Sequence, residues 1–389
     1  MNPQPSKTVV SRVSTGLLAA AAALALAACS IAGADTTAVT AAAPPPDVSL
    51  FVASTRPDRG SDPVLPARHA LVRIAIPANH QAGNIELPRY GAARRGRHFT
   101  VIGERKMSQR EFSAEIASHL SGRVGADRDV LVFVHGFNTS LDEARFRLAQ
   151  IVADGRFGGV AVLFTWPSAN QLLAYESDKQ AATISRDALT QLLRELAHAP
   201  GAGRIHLLAH SMGAWLSMES LRELAIGGEQ RMNGRAGEVM LAAPDIDMGV
   251  FRQQMARIGN GIRVSVFASR SDRALHLSAR IAGARPRVGA LDASRESDRR
   301  QLAQLGVRVY DISAFSSGFI GHDNYANAPA VVRTIGAELT RTRPEDRDKT
   351  AIIDGGVARA PQAPFIPAPV ESAPLPEIAP GETVPAPQP

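Results

Sequence analysis

Short apolar runs recur along the middle of this chain, separated by stretches whose apolar positions fall three and four residues apart. The runs are HALVRIAIP (69–77), HFTVIGE (98–104), DVLVFVHG (129–136), GVAVLFTWP (159–167), RIHLLAHS (204–211), EVMLAAPD (238–245), RVSVFASRSD (263–272) and VRVYDIS (307–313). From the third onward they are dense in Val, Ile, Leu and Phe and do not alternate with polar residues, the pattern of strands buried on both faces of a parallel sheet. The first two fit less well and are expected to form an antiparallel edge. Between the runs lie helix-like segments such as SLDEARFRLAQIVADG, where Ser140 and Glu143 form a capping box and Gly155 a stop. Strands alternating with helices predict an α/β fold with a mostly parallel central sheet and helices on both faces. In such sheets ligands collect at the carboxyl ends of the strands, so unusual residues are sought there.

The two ends of the chain break this pattern. Lys7 and Arg12 precede an apolar stretch from Gly16 to Ala28, followed at once by the single cysteine, Cys29. That is the layout of an export signal, too short for a comfortable membrane-spanning helix. The residues LAAC (Leu26 to Cys29) resemble a bacterial lipobox, which implies lipidation of Cys29 as the first residue of the mature chain. Ser30 in the next position implies sorting to the outer membrane, facing the periplasm. A small, Pro-rich tether follows, and from about Arg343 onward prolines are too dense for helix or central strand. The expected organisation is a signal peptide (1–28), a flexible tether (29–47), one folded body (48–342) and a Pro/Ala-rich disordered tail (343–389).

The balance of 43 Lys+Arg against 37 Asp+Glu gives a net charge of +6. With no zinc-finger spacing, no aromatic-rich RNA-binding pattern and no dense basic helix, this reads as a solvated Arg-rich surface and not a nucleic-acid partner. One cysteine excludes an intramolecular disulfide. Histidines and carboxylates show no metal-ligand spacing, so no metal or other cofactor is expected.

Candidate chemistry concentrates at run ends. Ser211 follows a buried strand directly and precedes a helical pattern, so its hydroxyl can be held exposed while the helix start offers backbone N–H groups to a developing negative charge. Ala209 and Gly213, two before and two after, are small enough for so sharp a turn. Upstream, His135 and Gly136 end another strand. An acyl-transfer site needs two backbone donors, assigned to the N–H groups of Phe137 and Met212. His135 is read as structural, holding that loop. A serine hydroxyl also needs a general base. His206 lies within the nucleophile strand, His210 adjoins Ser211 with its side chain expected to point elsewhere, and His276 sits four residues after Asp272 on a helix. His322, in a Gly-bearing loop after the last strand, is the best candidate. The orienting carboxylate is placed at Asp272, with Asp245 as the alternative and Asp247 beside it, while Asp323 reads as a surface or loop-capping residue. Trp166, with Pro167, either lines an acyl pocket or packs the sheet edge.

The order His-Gly, Ser, Asp, His on alternating strands resembles the α/β-hydrolase superfamily. More narrowly, LVFVHGFNTS, FTWPS, LLAHSMG, AAPDID, ASRSDRAL and GHDNY resemble a bacterial group of esterase/lipase-like hydrolases of undetermined physiological substrate, over roughly residues 49–340. The resemblance implies a catalytic triad of Ser211, Asp272 and His322. Ala at position 209 departs from the usual Gly-x-Ser-x-Gly. The expected activity is a carboxylesterase for small or medium acyl esters, since the segment Met248–Gly261 is too short for a large lid. The competing expectation is a lipid-anchored envelope scaffold that keeps the fold without turnover.

Overall fold

The computed structural model describes residues 47–341 except 59, 61, 282, 284 and 316–321. The expected signal peptide, Cys29, all but the last residue of the expected tether, and the Pro-rich tail lie outside the described residues. No helix among the described residues is long and apolar enough to cross a membrane.

The strands are β1 (Asp47–Ser54), β2 (Arg68–Ala75), β3 (Thr100–Met107), β4 (Val130–Val134), β5 (Val160–Thr165), β6 (Ile205–His210), β7 (Ala236–Ala242), β8 (Arg263–Ala268) and β9 (Arg308–Asp311). They form one sheet in the order β3-β2-β1-β5-β4-β6-β7-β8-β9. From β1 to β9 along that order every pairing is parallel, whereas β2 runs antiparallel to β1 and to β3. The antiparallel edge is thus three strands, because β1, which the run pattern did not single out, joins it to the parallel body through Leu50–Ser54 against Ala161–Thr165.

The helices are α1 (Gln109–Leu120), α2 (Leu141–Asp154), α3 (Tyr175–Ile184), α4 (Arg186–His198), α5 (Met212–Ile226), α6 (Met248–Ile258), α7 (Arg273–Ile281), α8 (Glu296–Gln304), α9 (Asn324–Asn327) and α10 (Pro329–Leu339). The capping box at α2 is formed: Ser140 Oγ accepts from the Glu143 N–H, and a Glu143 carboxylate oxygen accepts from the Ser140 N–H at 2.7 Å. Successive residues of a strand face opposite ways. In β4, Val130, Val132 and Val134 enter one core with α1, α4, α5 and α6, while Leu131 and Phe133 enter the other with α2 and α10. This two-sided burial is why the run reads as uniformly apolar. The segment Met248–Gly261 folds as α6 and a short 3-10 turn, with Phe251, Met255 and Ile258 in the first core.

One polar clip ties the β2–β3 connection to α2. His80 Nδ1 lies 2.8 Å from a Glu86 oxygen and its Nε2 2.9 Å from Asp154 Oδ1. Two acceptors on one imidazole require both nitrogens to carry protons. Partial burial opposes that charge, but the two carboxylates outweigh it and raise the His80 pKa above its usual value. Asp154 is also desolvated, yet its bonds from His80, Gln150 and the Gly83 N–H hold its pKa below the ordinary carboxylate range. The clip therefore stabilises fully below the unfolded imidazole value and fades as pH rises through the raised folded one, with its acid end set by Asp154. His80→Gln should cost roughly 1.5–3 kcal/mol at pH 5.5, the range for hydrogen bonds to charged groups. The cost should shrink by pH 9, measured as unfolding free energy at both pH values.

Candidate active site

The chain order around β4 opens the crevice. β5 lies on one side of β4 and β6 on the other, so the loops leaving β4 and β6 diverge at their carboxyl ends, where open α/β sheets place ligands. β4 runs out into His135 and Gly136, and β6 ends at His210 with Ser211 next.

Ser211 has φ 52° and ψ −120°, a conformation an L-residue adopts only at a cost of about 1–3 kcal/mol. The surroundings enforce it. Its N–H donates to the Ala242 carbonyl at 2.9 Å, and its own carbonyl accepts from the N–H groups of Ala214 (3.0 Å) and Asp245 (3.2 Å). α5 begins at once, so its unpaired N–H groups face the crevice. Gly213 makes the turn possible: a Cβ there would stand 2.2 Å from the His135 carbonyl oxygen and 2.7 Å from that of Val134. Gly136 closes the same contact from the other side, since its Cβ would fall 2.7 Å from His210 Nδ1 and 3.0 Å from Ser211 Cβ. Ala209 is fully buried in the core with Val134 and Met212. Neither the Phe137 nor the Met212 N–H is engaged by another described residue.

His322 Nδ1 lies 2.7 Å from Asp272 Oδ2. Asp272 is wholly buried, and its other oxygen accepts from the Leu275 N–H at 3.0 Å in the first turn of α7. With Nδ1 donating to Asp272, the second ring nitrogen, Nε2, is the one able to take a proton. Burial alone would lower the His322 pKa, but the Asp272 bond and charge, helped by Asp323 and Asp245, leave it above the ordinary imidazole value. Asp245 is committed elsewhere: it accepts from Tyr175 Oη at 2.7 Å and Ser278 Oγ at 2.6 Å, and pairs with the buried Arg287 Nε at 3.1 Å. The structure thus brings Asp272 to His322 and holds Asp245 away from its ring nitrogens in a separate ion pair. Asp247 caps α6 through the N–H groups of Gly249 and Val250.

The loop after β4 is held from below. His135 is buried and stacked on Trp166 with ring centroids 5.1 Å apart. Its Nδ1 donates to the Gly136 carbonyl at 2.9 Å, leaving Nε2 to accept from Thr165 Oγ1 at 3.0 Å, from the Trp166 N–H and from Arg56 Nη2 at 3.3 Å. Burial and the Arg56 cation hold its pKa well below the usual value, so it is neutral and structural. Arg56 spans the loops after β1, β4 and β5, donating to Thr165 Oγ1 (2.7 Å), the Ser168 carbonyl (3.2 Å) and the Thr139 carbonyl (2.7 Å). Trp166 is fully buried, and its indole N–H donates to the His135 carbonyl at 3.0 Å. It packs the sheet edge and does not line an open pocket. Phe137 meets Tyr175 edge to face at 5.5 Å.

Three further histidines can be placed. His206 accepts from the Glu238 N–H and faces Asp129 at the amino end of β6, away from Ser211. His276 bonds the Arg270 carbonyl through Nε2 at 2.9 Å. His210 turns its side chain to His322, with Nε2 3.1 Å from the His322 carbonyl oxygen and ring centroids 4.6 Å apart. Asp323 starts α9, its carbonyl accepting from Ala326 and Asn327, and its side chain is exposed. Among the described residues no cluster of three or more His, Cys, Asp and Glu could hold a metal ion. Sequence reasoning missed Arg56, Tyr175, His210 and Arg287. His210 alone carried a local signal, its place beside Ser211; the others are brought in by long-range contacts.

The family described as Alpha/beta hydrolase of unknown function (DUF900) matches residues 108–343 of this chain. No curated protein matches it. The chain is similar in structure to a predicted CIB-like hydrolase from Thermoplasma acidophilum, at 13% identity over 56% of this chain and 89% of that one, with a TM-score of 0.33. It is similar also to an esterase from Pyrobaculum calidifontis, at 14% identity over 56% and 78% with a TM-score of 0.33. A fungal esterase from Rhizomucor miehei is matched at 14% identity over 80% and 86%, with a TM-score of 0.32.

The close approach of α5 to β4 makes a specific demand. Gly213→Ala must push the helix start off the His135 carbonyl, and overpacking of this kind costs about 1–3 kcal/mol. The displaced Met212 N–H should also lower any serine reactivity by at least tenfold. Thermal unfolding and labelling with a serine-directed probe read the two effects separately.

Proposed function

This chain belongs to the family of alpha/beta hydrolases of unknown function, and from that premise we propose that it is a serine hydrolase acting on carboxylic esters of small or medium acyl groups. The observation that carries the reading is the 2.7 Å contact of His322 Nδ1 with the buried Asp272, in the crevice where Ser211 stands in its enforced left-handed turn. In this reading Ser211 Oγ attacks the ester carbonyl while His322 Nε2 takes its proton. The charge that appears on the former carbonyl oxygen is met by the N–H groups of Phe137 and Met212 and by the start of α5. Asp272 holds the imidazolium, which hands its proton to the departing alcohol. Water, deprotonated by the same imidazole, then releases the acid and restores Ser211. The leaving group is less constrained than the reacting carbonyl, and a thioester or amide is compatible with the same constellation.

The same proposal extends to the ends of the chain. Residues 1–28 direct export, Cys29 carries a lipid anchor in the outer membrane facing the periplasm, and an ester of small-molecule or lipid origin is the partner. Globomycin treatment, which blocks removal of lipoprotein signals, should then shift the chain to a heavier form.

A fluorophosphonate probe and intact-mass measurement on the full chain test the chemistry. Wild type should take one adduct, Ser211→Ala none and His322→Ala little. An unreactive, folded wild type would remove the hydrolase reading in favour of a non-catalytic scaffold. Asp272→Asn should lower kcat by about 10⁴, as loss of an orienting carboxylate does elsewhere, whereas Asp245→Asn should act mainly on stability. Because the base must be neutral and its pKa is raised, kcat/KM should climb with pH through a midpoint above the ordinary imidazole value. In Asp272→Asn that midpoint should move to lower pH, readable from residual turnover of p-nitrophenyl esters.

A further inference from the structure

His322 is fastened on its side chain by Asp272, and a single hydrogen bond leaves an imidazole free to swing about it. A second fastening comes from the residue before the nucleophile. His210 is buried, and its Nε2 lies 3.1 Å from the backbone carbonyl of His322. A carbonyl only accepts, so Nε2 carries the proton and donates. Nδ1 is turned to Gly136, where a Cβ would stand 2.7 Å from it. The ring contacts Tyr325 at 4.5 Å with planes 29° apart and His322 at 4.6 Å. It is therefore locked by β4's exit loop, by α9 and by the base itself. Asp323 Oδ1 stands 3.9 Å from the donating nitrogen.

We propose that His210 is the positioning residue for the candidate base: its N–H holds the His322 backbone and its ring backs the His322 imidazole, so that Nδ1 meets Asp272 and Nε2 is left free to take a proton. This rests on the serine-hydrolase reading. The role requires a neutral His210. Burial and the neighbouring positive His322 lower its pKa, against the pull of Asp323 and Asp272, so it remains uncharged while His322 titrates. His135, also buried and neutral, adds no competing proton. Arg147 acts on Asp323 and Tyr325 beyond it. Two fixed points define an imidazole's direction where one does not, and misplacement by about 1 Å costs on the order of 10²-fold in rate.

The test compares His210→Leu, which keeps volume and loses the donor, with His210→Gln, which keeps an N–H at the same reach and cannot titrate. In His210→Leu, kcat for a p-nitrophenyl ester should fall about 30- to 100-fold with KM within about twofold, and His210→Gln should recover most of the loss. In parallel, the His322 imidazole is titrated by NMR in a Ser211→Ala background, a readout that needs no turnover. It should move towards the ordinary imidazole value with Leu at position 210 and stay with Gln. Should the Leu variant fail to fold, His210→Asn, whose amide stops short of the carbonyl, takes its place with the same expectations. A folded Leu or Asn variant with unchanged His322 titration overturns the proposal, as does equal loss in the Gln and Leu variants. If wild type does not label with the fluorophosphonate while the His322 titration still shifts, the hydrolase reading fails and the tether stands.

Discussion

The exit of β4 and the helix that follows β6 come closer than a methyl group allows. A Cβ on Gly213 would lie 2.2 Å from the His135 carbonyl oxygen, and one on Gly136 would lie 3.0 Å from Ser211 Cβ. This approach forces Ser211 into φ 52° and aims the start of α5 at the crevice. It also sets the residue after the serine beside the loop that carries Phe137. The strain at Ser211 is maintained by the bonds its neighbours make, from Ala242 on one strand to Asp245 on the next loop. Hence the site lies at the place where the sheet's chain order reverses, with no separate element needed to build it.

His135 and His322, both near Ser211, lean opposite ways in their protonation, and the difference lies in their partners. His135 faces a cation, Arg56, and stays neutral. His322 faces Asp272 and sits within the field of Asp323 and Asp245, which overcomes the burial that would discharge it. A candidate base in this setting is held where an added proton is welcomed by a fixed carboxylate. The neighbouring loop, by contrast, is built from an imidazole that only shapes the backbone.

Much of the fold was legible because the strands are buried on both faces. Val130–Val134 alternate between two cores, so the run is apolar throughout and announces itself. β1 did not, since DVSLFVAS follows a Pro-rich stretch and only its middle is buried. The serine turn was legible from its small neighbours, because steric demand falls on positions fixed in sequence. The choice between Asp272 and Asp245 was not, since both follow strand ends. What separates them is a side-chain partner: His322 for one, Arg287 with Tyr175 and Ser278 for the other. Trp166 likewise showed its role only through the hydrogen bond of its indole to the His135 carbonyl. Arg56 could not be read at all, because the four partners of its side chain lie 79 to 112 residues away in sequence.

The polar side chains around the crevice are largely spent on one another, and that bears on what the crevice can recognise. Asp245 is bonded by Tyr175 and Ser278 and paired with Arg287. Arg56 is spread over four partners, His135, Thr139, Thr165 and Ser168. Asp178 accepts from Ser168 and the Ala169 N–H. Groups fixed in this way resist reorientation and make a poor match for a mobile charged ligand, whose binding would have to break bonds already made. Tyr175, with its hydroxyl engaged, turns only its ring to Phe137. The result is a rigid, partly apolar wall beside backbone N–H groups that remain to be satisfied.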